Sequence, residues 1–260
     1  MKPVPLVIVG LHIIIVLCSC LPDTMFCEQY KQKNYIPIFL FVILTAILLT
    51  VYNFACSDPG YISFEDSQLL ECEDLFFCTK CNQNIPIRAS HCKACDKCVL
   101  RKDHHCPFLG ICVGMKNHAH FLFYLFLEII FSIVCIYNFS SGMKDNLPFL
   151  EWVYTSLPCT FFYGFGFVIM LQPILLLPFH IYLVFSNRTT WETLRGKSIS
   201  YMRDWRYSLS PFSHGLMHNL AEFLTMKTKM PIYKVPSTEE EINQWKLDNS
   251  CLSNDRYECC

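Results

Sequence analysis

The chain has 260 residues, 53% of them hydrophobic and only 17% charged, which is more apolar and less charged than an ordinary soluble domain. A formal net charge of −1 leaves no field that would gather a polyanion, so no nucleic-acid partner is expected. The 17 cysteines sit in a chain too long and too rich in apolar runs for a small secreted disulfide scaffold, so they read first as thiolates or metal ligands.

Four apolar runs follow one another along the chain: Val4 to Leu21, Ile36 to Ala55, Phe121 to Phe139, and roughly Thr160 to Phe185. A helix that crosses a bilayer needs about 20 such residues, and all four qualify, the first at the short end. A cleaved signal peptide is the alternative for the first run. Against it stand a single basic residue, Lys2, and the Pro22-Asp23 pair where small residues would lead to a cleavage site. Pro173 and Pro178 in the fourth run are tolerable in a membrane helix whose neighbours satisfy the freed carbonyls.

The runs divide the chain into an N-terminal pair of transmembrane helices (1–56), a cysteine-rich segment (57–120), a second pair of helices (121–185) and a polar tail (186–260). Basic residues gather in the middle segment (Lys80, Arg88, Lys93, Lys97, Arg101, Lys102, Lys116) and at the start of the tail (Arg188, Arg195, Lys197, Arg203, Arg206). The two other loops hold only Lys31, Lys33 and Lys144. The bias of Lys and Arg toward cytoplasmic loops therefore places both termini and the cysteine-rich segment in the cytosol. Two sequons, at Asn138 and Asn187, are read as accidental. Glu128, inside the third run, is costly in lipid and is expected to face the protein interior in a structural polar contact. His118 and His120 read as surface or interfacial residues. Cys259 and Cys260 end the chain without a prenylation box, since Tyr257 holds the place of its cysteine.

Between Cys78 and Cys112 the order is Cys78-x2-Cys81, His91-Cys92-x2-Cys95-x2-Cys98, His104-His105-Cys106, then Cys112. A two-residue spacer lets two sulfurs point at one ion, and three such pairs in so short a stretch signal tetrahedral zinc. Ten candidate ligands exceed two four-ligand sites by two. A closed structural site has no reactive thiolate, whereas a spare cysteine beside a spare histidine is the minimum for nucleophilic catalysis. Spacing alone leaves open which two are spare.

Asp103-His104-His105-Cys106, within the pattern that runs on through Cys112 to Asn117 and Phe121, resembles the signature of the DHHC protein S-acyltransferases, or palmitoyltransferases. Asp58-Pro59-Gly60, Thr189-Thr190-Trp191-Glu192 and Pro211-Phe212-x2-Gly215-x3-Asn219 match the family's satellite motifs. The resemblance implies an all-α membrane protein of four transmembrane helices with a cytosolic cysteine-rich domain binding two zinc ions. One zinc would take Cys78, Cys81, His91 and Cys98, the other Cys92, Cys95, His105 and Cys112. That leaves Cys106 as nucleophile, His104 as general base and Asp103 to orient His104. Thr190, Glu192 and Asn219 would be structural. Phe108 stands where the family usually has Trp, so the mouth of the pocket and the acyl-chain preference are where this chain departs from the pattern.

The implied activity is transfer of a long-chain acyl group from acyl-CoA to Cys106 and then to a cysteine of a protein substrate near the bilayer. Phe131, in an aromatic-rich run (Phe121, Phe123, Tyr124, Phe126), is the candidate for the end of an acyl-chain cavity. Arg101, Lys102 and Lys116 are candidates for the CoA phosphates. Short, Phe-rich spans point to the thin membranes of the endoplasmic reticulum or Golgi. Two rival readings remain: a membrane-anchored zinc-binding module, such as a RING-like ubiquitin ligase, and an inactive scaffold. The first has no use for a spare cysteine beside a histidine, and the second is disfavoured by the intact Asp103-His104-His105-Cys106.

Overall fold

The computed structural model describes residues 3–63, 75–144, 146–203, 205, 209–226 and 233–250. Arg206, Tyr257, Cys259 and Cys260 lie outside the described residues. The chain divides into two compact units, Met1–Ala55 with His120–Pro178, and Cys56–Ala119 with Phe179–Cys260.

The first unit is helical. It holds helices α1 (Pro3–Cys18), α2 (Met25–Lys31) and α3 (Ile36–Ala55), together with most of α4 (His118–Ser140) and of α5 (Phe149–Phe185). Among the described residues three helices, α3, α4 and α5, are long and apolar enough to cross a membrane, while α1 is shorter. Large apolar side chains such as Phe39 (64% exposed) and Val168 (67%) stand outward, as they do where lipid replaces water. Inside, the Phe41 ring is tilted against Phe26 and stacked on Phe131, with ring centroids 5.1 and 5.3 Å apart.

Helix α5 begins at Phe149 rather than near Thr160, so the expected third loop is shorter than its composition implied. Pro158 lies inside the helix with Pro173 and Pro178. The helix runs about 55 Å at 1.5 Å per residue, beyond the roughly 30 Å of a hydrocarbon core.

Two polar brackets hold this unit. His12 Nε2 meets both oxygens of Glu128 at 3.2 Å, in a pair 4% exposed on each side. Glu128 therefore faces inward, as its cost in lipid required. Asn138 is buried: it donates to the Ser19 carbonyl at 2.9 Å and accepts from the Phe26 amide at 2.9 Å, tying the α1–α2 connection to α4. This sequon asparagine is thus a structural bracket.

The second unit is built on three short antiparallel hairpins: β1 (Leu75–Cys78) with β2 (Gln83–Pro86), β3 (Ser90–Cys92) with β4 (Lys97–Val99), and β5 (His104–Cys106) with β6 (Ile111–Val113). Its apolar clusters are small and include the zinc-type cysteines themselves, as in the set Ile62, Cys78, Ile85 and Cys98. A domain with so little core needs cross-links. Gly114 has to be glycine: a Cβ there would lie 2.6 Å from Val99 Cγ1 and 2.7 Å from the Pro59 carbonyl oxygen. Helices α6 (Thr190–Arg195), α7 (Leu216–Thr225) and α8 (Glu239–Asp248) complete the unit.

Candidate active site and metal centres

Each hairpin sets ligands by register. His91 lies directly opposite Cys98, and His105 opposite Cys112. Successive side chains on a strand point to opposite faces. So the neighbours His91 and Cys92 serve different groups, and His105 points away from the face that His104 and Cys106 share.

Among the described residues, three groups bring His, Cys or Asp side chains together so that one ligand atom from each lies within 4.8 Å of the others. The first is Cys78, Cys81, His91 and Cys98, and the second is Cys92, Cys95, His105 and Cys112. In the first, Cys81 Sγ is 3.3 Å from His91 Nδ1 and 3.5 Å from Cys98 Sγ. In the second, Cys95 Sγ is 3.3 Å from His105 Nδ1 and 3.7 Å from Cys112 Sγ. Around a tetrahedral zinc with bonds of about 2.0–2.3 Å, ligand atoms sit about 3.3–3.8 Å apart, so both sets fit that ion. The donor chemistry, three thiols and an imidazole, fits it too.

The third group is Asp103, His118 and His180, all buried. His118 is therefore not a surface residue: it is 1% exposed, wedged edge-on between the rings of His180 and Phe223. His180 lay inside the fourth apolar run, where nothing in the local pattern separates it from core.

Asp103 is held from the α6 side. The Thr190 amide donates to Oδ1 at 2.7 Å and the Thr190 hydroxyl to Oδ2 at 2.7 Å. Oδ2 also accepts from His104 Nδ1 at 2.7 Å, and His104 in turn hydrogen-bonds the Cys106 thiol. Burial by itself lowers the basicity of the His104 ring, but the hydrogen bonds to Asp103 and then Cys106 reverse this and push its pKa up to about 9. Burial would raise the Asp103 carboxyl. The imidazole of His118, then the hydrogen bond from His104, outweigh that and hold it below the usual carboxylate range. Cys106 is 3% exposed, and Phe108 beside it 48%.

The Thr189-Thr190-Trp191-Glu192 motif resolves into separate tasks. Thr189 caps α6 in a capping box with Glu192. Thr190 grips Asp103. Glu192 also forms a bidentate ion pair with Arg88, at 2.8 and 2.9 Å, with side chains 0% and 1% exposed. Arg88 is sandwiched between the rings of Phe212 and Tyr233, 4.6 and 4.5 Å from their centroids, and donates to the Asn187 side chain at 2.9 Å. Arg88 and Asn187 were read only as a basic loop residue and an accidental sequon; only their burial reveals their work. Asn219 donates to the Phe185 carbonyl and to Ser213 Oγ, both at 2.7 Å, and so braces the end of α5.

The expected phosphate ligands are spread differently. Arg101 is 3% exposed and donates to Asn187 at 3.1 Å. Lys102, 7% exposed, donates to the His91 carbonyl at 3.1 Å and lies over the Trp191 ring. Lys116 pairs with Asp58 at 2.9 Å and keeps 41% of its side chain in solvent. Phe131 is fully enclosed in the helical unit against Phe41 and His12.

The DHHC palmitoyltransferase family pattern matches residues 71–197. The human palmitoyltransferase ZDHHC12 is 32% identical over 223 residues, covering 80% of this chain and 82% of its own length. A ZDHHC-type palmitoyltransferase of Dictyostelium discoideum is 31% identical over 204 residues (75% of this chain, 45% of its own length), and zebrafish palmitoyltransferase ZDHHC17 is 30% identical over 234 residues (78% and 37%). The chain therefore spans less than half of the length of two of these relatives but most of the third, and it belongs to the DHHC palmitoyltransferase family.

Proposed function

We propose that the chain is a protein S-acyltransferase that moves a long-chain acyl group, palmitoyl in type, from acyl-CoA to cysteine thiols of protein substrates, through an acyl-enzyme on Cys106. One observation carries this reading: strand alternation in β5 puts His105 with the metal-type thiols and leaves His104 and Cys106 together on the other face, with Asp103 2.7 Å from His104.

The steps follow from these contacts. His104 takes the proton from Cys106, and the thiolate sulfur attacks the thioester carbonyl carbon of acyl-CoA. The carbon–sulfur bond to CoA breaks, and the CoA thiolate recovers the proton from His104. A substrate thiol then gives its proton to His104 and attacks the Cys106 thioester, which returns the free enzyme. Asp103 fixes the His104 tautomer and stabilises the imidazolium, while Thr190 fixes Asp103.

Two zinc ions, on Cys78, Cys81, His91 and Cys98, and on Cys92, Cys95, His105 and Cys112, supply cross-links to a unit with little core. Around each divalent ion, three thiolates give a formal net charge of about −1, so activation of Cys106 falls to His104. Glu192 and Asn219 are structural. Phe108 shapes the mouth of the site, and of the three cations proposed for the CoA phosphates Lys116 is the most accessible, while Arg101 and Lys102 are buried. Phe131 meets the acyl chain in the helical unit, on the strength of the family resemblance.

The membrane arrangement is part of the proposal. Four spans, with α1 as a short first one held by the His12–Glu128 pair, place both termini and the cysteine-rich segment in the cytosol of an endoplasmic reticulum or Golgi membrane. The division 1–56, 57–120, 121–185 and 186–260 goes with it.

Transfer to protein is the direct test. Purified protein, palmitoyl-CoA and a reconstituted peptide with a membrane-proximal cysteine should give S-acylated peptide, and Cys106→Ala should give none. Transfer at the unaltered rate by Cys106→Ala would sink the proposal.

A further inference from the structure

Asp103, His118 and His180 are each 1% exposed, and each offers a ligand atom within 4.8 Å of the others. They come from three places in the second unit: the residue just before β5, the first residue of α4, and α5 five residues before its end. His118 Nε2 and His180 Nδ1 face one another at 3.0 Å. His118 uses only that nitrogen: its Nδ1 is buried without a hydrogen-bond partner among the described residues. The two ring nitrogens that face one another, together with a carboxylate oxygen of Asp103, are the atoms an ion between these side chains would take.

We propose that Asp103, His118 and His180 form a third divalent-cation site, distinct from the two cysteine-rich ones and selective for zinc-like ions. Two imidazoles and one carboxylate with an open fourth position make a known zinc donor set, of the kind found where the ion exchanges water or another ligand. Tetrahedral bonds of 2.0–2.1 Å put two ring nitrogens about 3.3 Å apart, so the pair needs to open by only a few tenths of an ångström to admit the ion. The carboxylate has room: Oδ2 serves His104 and the Thr190 hydroxyl, while Oδ1 receives only the Thr190 amide among the hydrogen bonds seen. Lacking thiolates, this site holds its ion less tightly than the other two.

The consequence for activity rests on the acyltransferase reading given above. A dication on Oδ1 draws negative charge away from the same carboxylate that supports His104 as it takes the Cys106 proton. Occupancy of the third site therefore slows acylation, which makes free zinc an inhibitor of an enzyme that needs zinc to fold.

The test uses the full chain in detergent, with zinc itself as probe. The unaltered protein and Cys106→Ala, dialysed against micromolar free zinc, should each carry a third equivalent that a mild chelator removes while two stay bound. His118→Gln and His180→Gln should keep two and lose the third. Cobalt added to the two-zinc protein should give visible d–d bands without thiolate-to-metal charge transfer, which reports nitrogen and oxygen ligands in the unaltered chain even if the glutamine variants fail to fold. No third equivalent, a third that survives in folded forms of both glutamine variants, or a thiolate band on the added cobalt would overturn the site. For the inhibitory role, autoacylation of the unaltered protein should fall at least tenfold as the third equivalent binds, relative to its own activity at low zinc. Binding without that fall would overturn the inhibition and leave the site standing, and a protein inactive at every zinc level would fault the acyltransferase reading instead.

Discussion

Asparagine at position 103 changes little volume and removes one charge. In the folded protein the Asp103 carboxylate accepts three hydrogen bonds of 2.7 Å, from the Thr190 amide, the Thr190 hydroxyl and His104 Nδ1. Hydrogen bonds to a charged group contribute about 1.5–3 kcal/mol each. With its carbonyl kept on the Thr190 amide, asparagine presents its NH₂ where Oδ2 was. The Thr190 hydroxyl can turn and accept, but the His104 Nδ1–H would meet another donor. The ring relieves this by moving its proton to the other nitrogen, and that nitrogen then faces Cys106 as a donor that cannot take the thiol proton. Loss of a correctly disposed general base costs about 10²–10⁴ in rate. The assay is single-turnover autoacylation by palmitoyl-CoA, followed by intact-protein mass. We expect Asp103→Asn to fall by at least a hundredfold with the two cysteine-rich sites still loaded. A rate within threefold of the unaltered protein, at equal zinc content, would refute the role given to Asp103.

The same contact predicts how stability follows pH. His104, pushed up to about 9 from an ordinary 6.5 chiefly by Asp103, adds stability that is complete below about pH 6.5 and lost as pH rises through 9; His104→Gln should flatten that part of the denaturation profile. Cys98→Ser should lose zinc and the structure of the cysteine-rich unit, whereas Cys106→Ser should lose acylation and keep its zinc; equal zinc loss in both would contradict the ligand assignment. Removing one side of the buried Arg88–Glu192 pair, as in Glu192→Ala, should cost about 3–5 kcal/mol, measured by urea denaturation of the detergent-solubilised chain, and a cost below 1 kcal/mol would deny the pair its structural role. His12→Leu should lower the thermal midpoint and His12→Leu with Glu128→Leu should recover part of the loss, since the single change leaves a carboxylate alone among apolar helices; no recovery would argue against that pairing.

The chemistry of the site was legible because it is local. Ligands two and three residues apart, and a hairpin that sets His105 opposite Cys112, need no distant contact to be inferred as metal-type. The sorting of His104 from His105 depends on strand geometry, which three-residue strands announce weakly in composition. It came from family resemblance, and pleat alternation supplies its physical reason. What stayed hidden was tertiary. Arg88, Arg101 and Lys102 read as a solvated basic loop, yet all three are buried, because Glu192, Asn187 and the His91 carbonyl meet them. His118 and His180 are 62 positions apart, and no spacing rule joins them. Helix α5 starts at Phe149, ahead of the apolar run, because Glu151, Thr155 and Ser156 interrupt the apolar pattern without interrupting the helix.

If Cys106 is the one thiol in this metal-rich loop left to react, its acyl-enzyme can be trapped. The purified chain is incubated with palmitoyl-CoA in the absence of any acceptor and digested, and the modified peptide is sequenced by mass spectrometry. We expect one acyl group, on Cys106, released by neutral hydroxylamine as a thioester must be. An acyl group on any of the eight cysteine and histidine ligands, or none on Cys106 in a fully metallated protein, would contradict it.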